Sequence, residues 1–283
     1  MASVDQLKAA TGLDIVRLSP DLKTAANELG PLADLLGTWF GTQGFNMIAV
    51  PYPITPGRPE IPFTLLVRPY AEIVEFTAIG AKVPNRRAGQ IDYVTGLMYE
   101  LRITDLETNQ PMHIENGMWL NLDGKGGEQR TPVARLAAIP HGDSFLALGS
   151  ALENPGPPAI SPVPWQPNPM EPGWAELYQA QKSPGFDPTN PTQTLKNALA
   201  GQNPGSPTLV FSLSSKETGG GVLNVPFVNK NADATSFDCT FWLERINQQS
   251  ANPFLQLQYV QTIVLEFGGH SFPHINVNTM VKQ

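Results

Sequence analysis

Apolar residues recur at every second position along most of this chain, the period of a strand with one buried face. The alternation is cleanest in "FLQLQYVQTIVLEFG" (254–268), where Leu255, Leu257, Tyr259, Ile263, Leu265 and Phe267 share one side. Gln256, Gln258, Thr262 and Glu266 fall mostly on the other. The spacing predicts an antiparallel strand with one face to a core and one to water. Comparable runs stand at 63–80, 91–105, 111–122, 131–140, 143–152, 207–215, 220–229, 236–246 and 274–282, and a further strand is expected after Leu35. Turn chemistry such as "LETNQP" and "DGKGGEQ" lies between them. With 25 glycines, 28 prolines and only 15% charged residues, the chain reads as all-β. An up-and-down sheet of roughly ten strands tends to close, which removes its edges, and a barrel wider than about eight strands encloses a cavity. The expectation is one all-β domain over 1–283, an antiparallel, roughly ten-stranded calycin-like barrel with a ligand cavity. A β-sandwich is the alternative.

Two segments depart from this period. "LSPDLKTAANELGPL" reads as a short helix within an N-terminal segment 1–31, with Ser19 as N-cap, Pro20 in the first turn and Gly30-Pro31 as the stop. Residues 153–207 hold thirteen of the prolines, so most of this segment cannot be strand. Two helical patches, "WAELYQAQ" and "TQTLKNALAG", interrupt it. Trp165, Trp174 and Tyr178 mark it as an ordered insertion that packs on the barrel, placed here over a barrel mouth; a disordered linker between two domains is the alternative.

Charge and composition remove several function classes. A net charge of −7 and a pI of about 5.1 argue against a nucleic-acid partner, which needs a basic face. No apolar run of about 18 residues exists to span a membrane, and "MASVDQLKAATGLDIV" has no signal-peptide core, so a cytoplasmic protein is expected. The single cysteine, Cys239, sits in the alternating run "FDCTFWLE" and reads as a small buried apolar residue.

The histidines are His113, His141, His270 and His274. "HSFPH" has the spacing of a helical zinc pair, but Pro273 and the β-branched run after it oppose a helix. No G-x-S-x-G elbow is present. "ETGGGVLN" lacks the lysine of a phosphate loop and reads as a hairpin turn, and Arg86-Arg87 as a solvated turn. In "PMHIENGMW" (111–119), His113 and Glu115 are two residues apart on a strand and so share a face, which makes a histidine–carboxylate pair available. A solvated outer face is the alternative for that pair.

Three short motifs bring in a resemblance. "LADLLGTWFGTQGF" (32–45) resembles the opening of the nitrobindin-like haem-binding β-barrels, G-x-W-x-G-x-G: Gly37, Trp39 and Gly41 match, while Gln43 replaces the third glycine and Gly44 follows one late. "PMHIENGMW" is similar to that family's H-x-E-x-G-x-W, through His113, Glu115, Gly117 and Trp119. "PHINVNTMVKQ" resembles its closing strand, with His274 at the matching place. The likeness covers roughly 32–150 and 207–283; the Pro-rich insertion has no counterpart in the compact members. It implies a fatty-acid-binding-protein-like barrel holding haem b, with His274 the iron ligand and His113, with Glu115, on the distal side. Trp39, Gly41 and Trp119 would lie against the cofactor. It also implies action on nitric oxide, peroxynitrite or peroxide. A non-catalytic carrier of an apolar small molecule, such as a fatty acid, would use the same cavity, and a partner-binding role for 153–207 is the third reading.

Parity sets a condition on His274. Alternation groups it with Asn276, Asn278 and Met280, opposite Ile275, Val277 and Val281. If the apolar face lines the barrel, His274 points outward. It points inward if the strand starts after it, if a bulge resets the register, or if the lining is polar near the rim.

Overall fold

The structure is a computed structural model, and it describes residues 28–51, 61–79, 83–87, 90–122 and 130–283. Ser19, Pro20 and the "DGKGGEQ" turn lie outside the described residues; of the N-terminal segment, Gly30–Leu35 forms a 3-10 turn.

Twelve strands follow: β1 (Gly37–Val50), β2 (Thr64–Ala78), β3 (Val83–Arg87), β4 (Gln90–Asp105), β5 (Pro111–Asn121), β6 (Arg130–Ala138), β7 (Asp143–Asn154), β8 (Thr208–Ser214), β9 (Gly221–Asn224), β10 (Asp233–Ile246), β11 (Phe254–Phe267) and β12 (His270–Lys282). Ten of them form an antiparallel ring in the order β2-β1-β12-β11-β10-β8-β7-β6-β5-β4, closed by pairing of β4 with β2 from Tyr70↔Asp105 to Ala78↔Leu97. β3 pairs with the N-terminal end of β4, Gln90–Val94, and β9 pairs with β7. The closed all-β barrel is the architecture the alternation predicts. Two local expectations differ. Arg86-Arg87 ends a strand instead of forming a turn. The expected strand 220–229 stops at Asn224, because Pro226 starts a short helix, here α3 (Pro226–Asn231). α1 (Trp174–Ala180) and α2 (Gln193–Ala198) are the two patches foreseen in the Pro-rich segment. No described helix is long and apolar enough to cross a membrane.

The Pro-rich segment leaves β7 and returns to β8 at one point, Asn154↔Thr208. It does not cover a mouth. It lies on the outer wall of the barrel, against β1, β12, β11 and β10. There Trp174, Tyr178, Phe186 and Leu195, all buried, join Met47, Trp242, Val260, Ile275 and Val277 in a second apolar cluster. Phe186 stacks on Phe45 at 4.9 Å, and Gln258 Nε2 donates to the Leu195 carbonyl at 2.8 Å. The outer face of β11 is therefore covered at Gln256, Gln258 and Val260, although alternation alone assigns it to solvent, while Glu266 stays exposed. The inner cluster holds Trp39, Tyr70, Trp119, Phe211, Phe241 and Leu257. Cys239 is buried, in line with its reading as a core residue.

Covering an outer face traps polar groups. Glu244 on β10 is 1% exposed. Gln256 Nε2 donates to its Oε2 at 2.7 Å, Oε1 has no partner, and Gln256 exchanges hydrogen bonds with Gln202 of the insertion. Burial pushes the Glu244 carboxyl up to about 8. A carboxyl that holds its proton more tightly when folded stabilises the fold at low pH. That contribution is lost as pH rises from 4.5 to about 8. Urea unfolding should therefore show falling stability across that window, and Glu244→Gln should remove the part of the fall above about pH 6, gaining on the order of 2–4 kcal/mol above the window. A wild-type stability that is flat with pH would contradict this.

Candidate functional site

A cavity of about 380 Å³ opens at one end of the barrel, within the range that holds small ligands. Ile48, Ile103, Met112, Phe145, Ile263 and Leu265 supply apolar wall, and two polar groups interrupt it.

The first comes from β5 to β7. Strand parity turns His113, Glu115, Gly117 and Trp119 inward, opposite Ile103, Leu101, Tyr99 and Leu97 of β4. A Cβ on Gly117 would meet the Leu136 carbonyl oxygen at 1.9 Å and the Tyr99 ring at 2.9 Å. The glycine thus lets Tyr99 cross β5, and its hydroxyl donates to Glu115 Oε1. Arg135 of β6, opposite Trp119, donates from a terminal nitrogen to the same oxygen at 2.7 Å, and from the other to Gln261 Oε1 at 3.0 Å. Its guanidinium is buried among Tyr99, Trp119, Phe145, Phe237 and Phe241, with centroids 5.3–5.6 Å away. Burial alone would raise the Glu115 carboxyl, but the charge of Arg135 and the bonds from His113 and Tyr99 hold it down at about 2. Glu115 is therefore a carboxylate that only accepts, and His113 Nε2, 3.2 Å from Oε2, donates to it. This leaves His113 Nδ1 for a ligand. His141, at the exposed rim, lies edge-on to His113 with centroids 4.9 Å apart; burial and the neighbouring His113 lower its pKa. Asp143, 7% exposed, also lines the cavity; burial and the Glu115 charge raise it to about 6, and its Oδ2 has no hydrogen-bond partner.

The second group comes from β1 and β12, on the far side of the ring from β5. His274 and Asn276 line the cavity beside Asn46. His274 Nε2 lies 2.6 Å from Asn46 Oδ1 and 3.3 Å from Asn276 Nδ2. The shorter contact is to an amide oxygen, which accepts, so Nε2 carries the proton, Asn276 Nδ2 makes no hydrogen bond to it, and Nδ1 has the lone pair. Burial, then the nearby His113, lowers His274 to about 3, which keeps it neutral. Of the three conditions parity allowed, the polar rim applies: Ile275 and Val277 face outward into the cluster under the insertion.

Three residues expected against a cofactor lie elsewhere. Trp39, Gly41 and Trp119 are not among the cavity's lining residues. Trp39 donates from Nε1 to the Leu35 carbonyl at 2.7 Å within the core. A Cβ on Gly41 would meet the Thr279 carbonyl oxygen at 2.4 Å, so this position sets how closely β1 and β12 approach. Trp119 packs edge-on to Phe211 and Phe241 at 5.5 and 5.2 Å. His270 lies outside the cavity, where its Nε2 is 3.2 Å from Glu171. Arg135, Tyr99, His141, Asp143 and Asn46 are site residues that the motifs did not mark.

A haem's iron needs a neutral imidazole whose other ring nitrogen is held by an acceptor. His274 with Asn46 has that donor chemistry, so the residues fit such a group. Among the described residues no cluster of three or more His, Cys, Asp or Glu is placed to hold a bare metal ion.

Fold and cavity together define a closed, antiparallel ten-stranded barrel with a ligand-sized interior. No protein-family model matches the chain, and no curated protein matches it. Among solved structures, the crystal structure of Rv2717c from M. tuberculosis aligns with a TM-score of 0.44 at 15% identity, over 89% of this chain and 97% of that one.

Proposed function

We propose that the protein binds haem b in this cavity and acts there on small reactive species such as nitric oxide, peroxynitrite or peroxide. The observation that carries this reading is the pair of imidazoles on facing walls of one cavity, His274 neutral and His113 with its tautomer fixed by Glu115. Bound haem would supply an iron with one position open to a small ligand. His274 would hold it through Nδ1 while Nε2–H donates to Asn46. His113 would meet the small ligand from the other wall. Glu115, held ionised by Arg135, orients His113 by accepting from its Nε2–H; at neutral pH it has no proton to exchange.

A group that accepts from the free ring nitrogen of a ligating histidine contributes about 10–100-fold in affinity. Asn46→Ala should accordingly weaken haem binding by about that factor, followed as the Soret absorbance in a haem titration. An unchanged affinity would remove Asn46 from the account, and the absence of any Soret band in wild-type protein would remove haem itself.

The apolar walls favour a second reading, a carrier of an apolar small molecule. A fatty acid is the weaker candidate for that ligand. Among the described residues no lysine or arginine lines the cavity, and a carboxylate head would meet Glu115 and Asp143 instead of a cation.

A further inference from the structure

We infer that the corner formed by Asp143, His113 and His141 is a head-group site that takes a hydrogen-bond donor, an amine or a hydroxyl, at the end of an apolar molecule, and that it excludes carboxylates. Unpaired buried acceptors are uncommon in folded proteins, and leaving one desolvated costs about 1–3 kcal/mol. Asp143 Oδ2 is such an acceptor, on a side chain that lines an otherwise apolar cavity. Its neighbours do not satisfy it. Glu115 can only accept, and both its oxygens are occupied, Oε1 by Tyr99 and Arg135 and Oε2 by His113. His113 spends its Nε2 proton on Glu115. Gln261, also in the wall, has its Oε1 bound to Arg135. At this corner Asp143 and Glu115 are therefore negative and His113 Nδ1 is an acceptor, and the donors left are the Gln261 amide nitrogen and the exposed ring of His141. Arg135 stands behind Glu115 and is not part of the lining.

The apolar body of such a ligand would lie on Phe145, Phe237 and Ile139, which flank Asp143 in the wall. Phe145 and Phe237 stack on one another at 3.8 Å, giving a flat and rigid floor. The inference rests on the cavity lining and not on haem, so it stands or falls separately from the haem reading.

The test is a matched series, decylamine, decanol and decanoate, titrated calorimetrically into the full-length chain at pH 7.5 without added haem. The amine and the alcohol should each bind at least about tenfold more tightly than decanoate. With both ahead of decanoate, an amine stronger than the alcohol identifies a charged head, and equal amine and alcohol affinities identify the hydrogen bond as the recognised feature. Asp143→Asn, which adds a donor at the same place, should close the gap by weakening the amine and admitting decanoate. Decanoate binding as well as decanol, or no binding by any of the three, would overturn the inference. So would a gap left intact in a folded Asp143→Asn protein. If that variant does not fold, the wild-type series decides alone.

Discussion

Replacing Arg135 with methionine should destabilise the barrel by about 3–5 kcal/mol at neutral pH, the usual cost of leaving one partner of a buried ion pair behind. Methionine fills much of the arginine's volume, so the loss reports charge more than packing. The abandoned group is Glu115, 2% exposed and ionised because of that guanidinium. Two further results follow. The double change Arg135→Met with Glu115→Gln should recover most of the loss, because no buried charge remains. The pH dependence should also change. In the wild type, Glu115 lies below its ordinary value, so its stabilising contribution is present above pH 4.5 and is lost as pH falls towards 2. Without Arg135 the desolvated carboxyl would bind a proton readily, and the variant's deficit should shrink as the solution is acidified. Urea unfolding at several pH values measures all three. A single variant as stable as wild type would mean that the aromatic box holds Arg135 for no energetic reason.

The same residue shows what the sequence could and could not reveal. The barrel was legible because closure follows from strand number and period, and the register follows from which face is apolar. His113, Glu115 and His274 were legible through motif spacing. Arg135 was not, because one arginine in "TPVARLAAIP" reads as an outward residue. The signal lay in parity: Arg135 shares a face with Val133 and Ala137, both buried. Asp143 opens a strand directly after a turn, where a short polar residue ordinarily needs no other explanation.

The side on which β12 buries its apolar residues, and the cover over β11, were not legible for a different reason. Alternation tells two faces apart but does not say which is inner once a distant segment covers the outer one. Residues 153–207 do that, turning Ile275 and Val277 outward into a second core and leaving His274, Asn276 and Asn278 to the inside. The motif residues Trp39, Gly41, Gly117 and Trp119 mark the shape of the barrel. Gly41 sets a strand approach, Gly117 makes room for Tyr99, and the two tryptophans fill the core.

The central claim, haem b held by His274 with His113 on the opposite wall, is most directly tested by one absorbance titration. Haem is added to full-length wild-type, His274→Ala and His113→Ala proteins, and the Soret band is followed for each. The wild type should develop a saturable Soret band. His113→Ala should take up haem with nearly the same band, because His274, the residue that would hold the iron, lies on the other wall. His274→Ala should lose the band or shift it strongly, because the residue that would hold the iron is gone. A His274→Ala protein that binds haem with an unchanged spectrum would contradict the assignment.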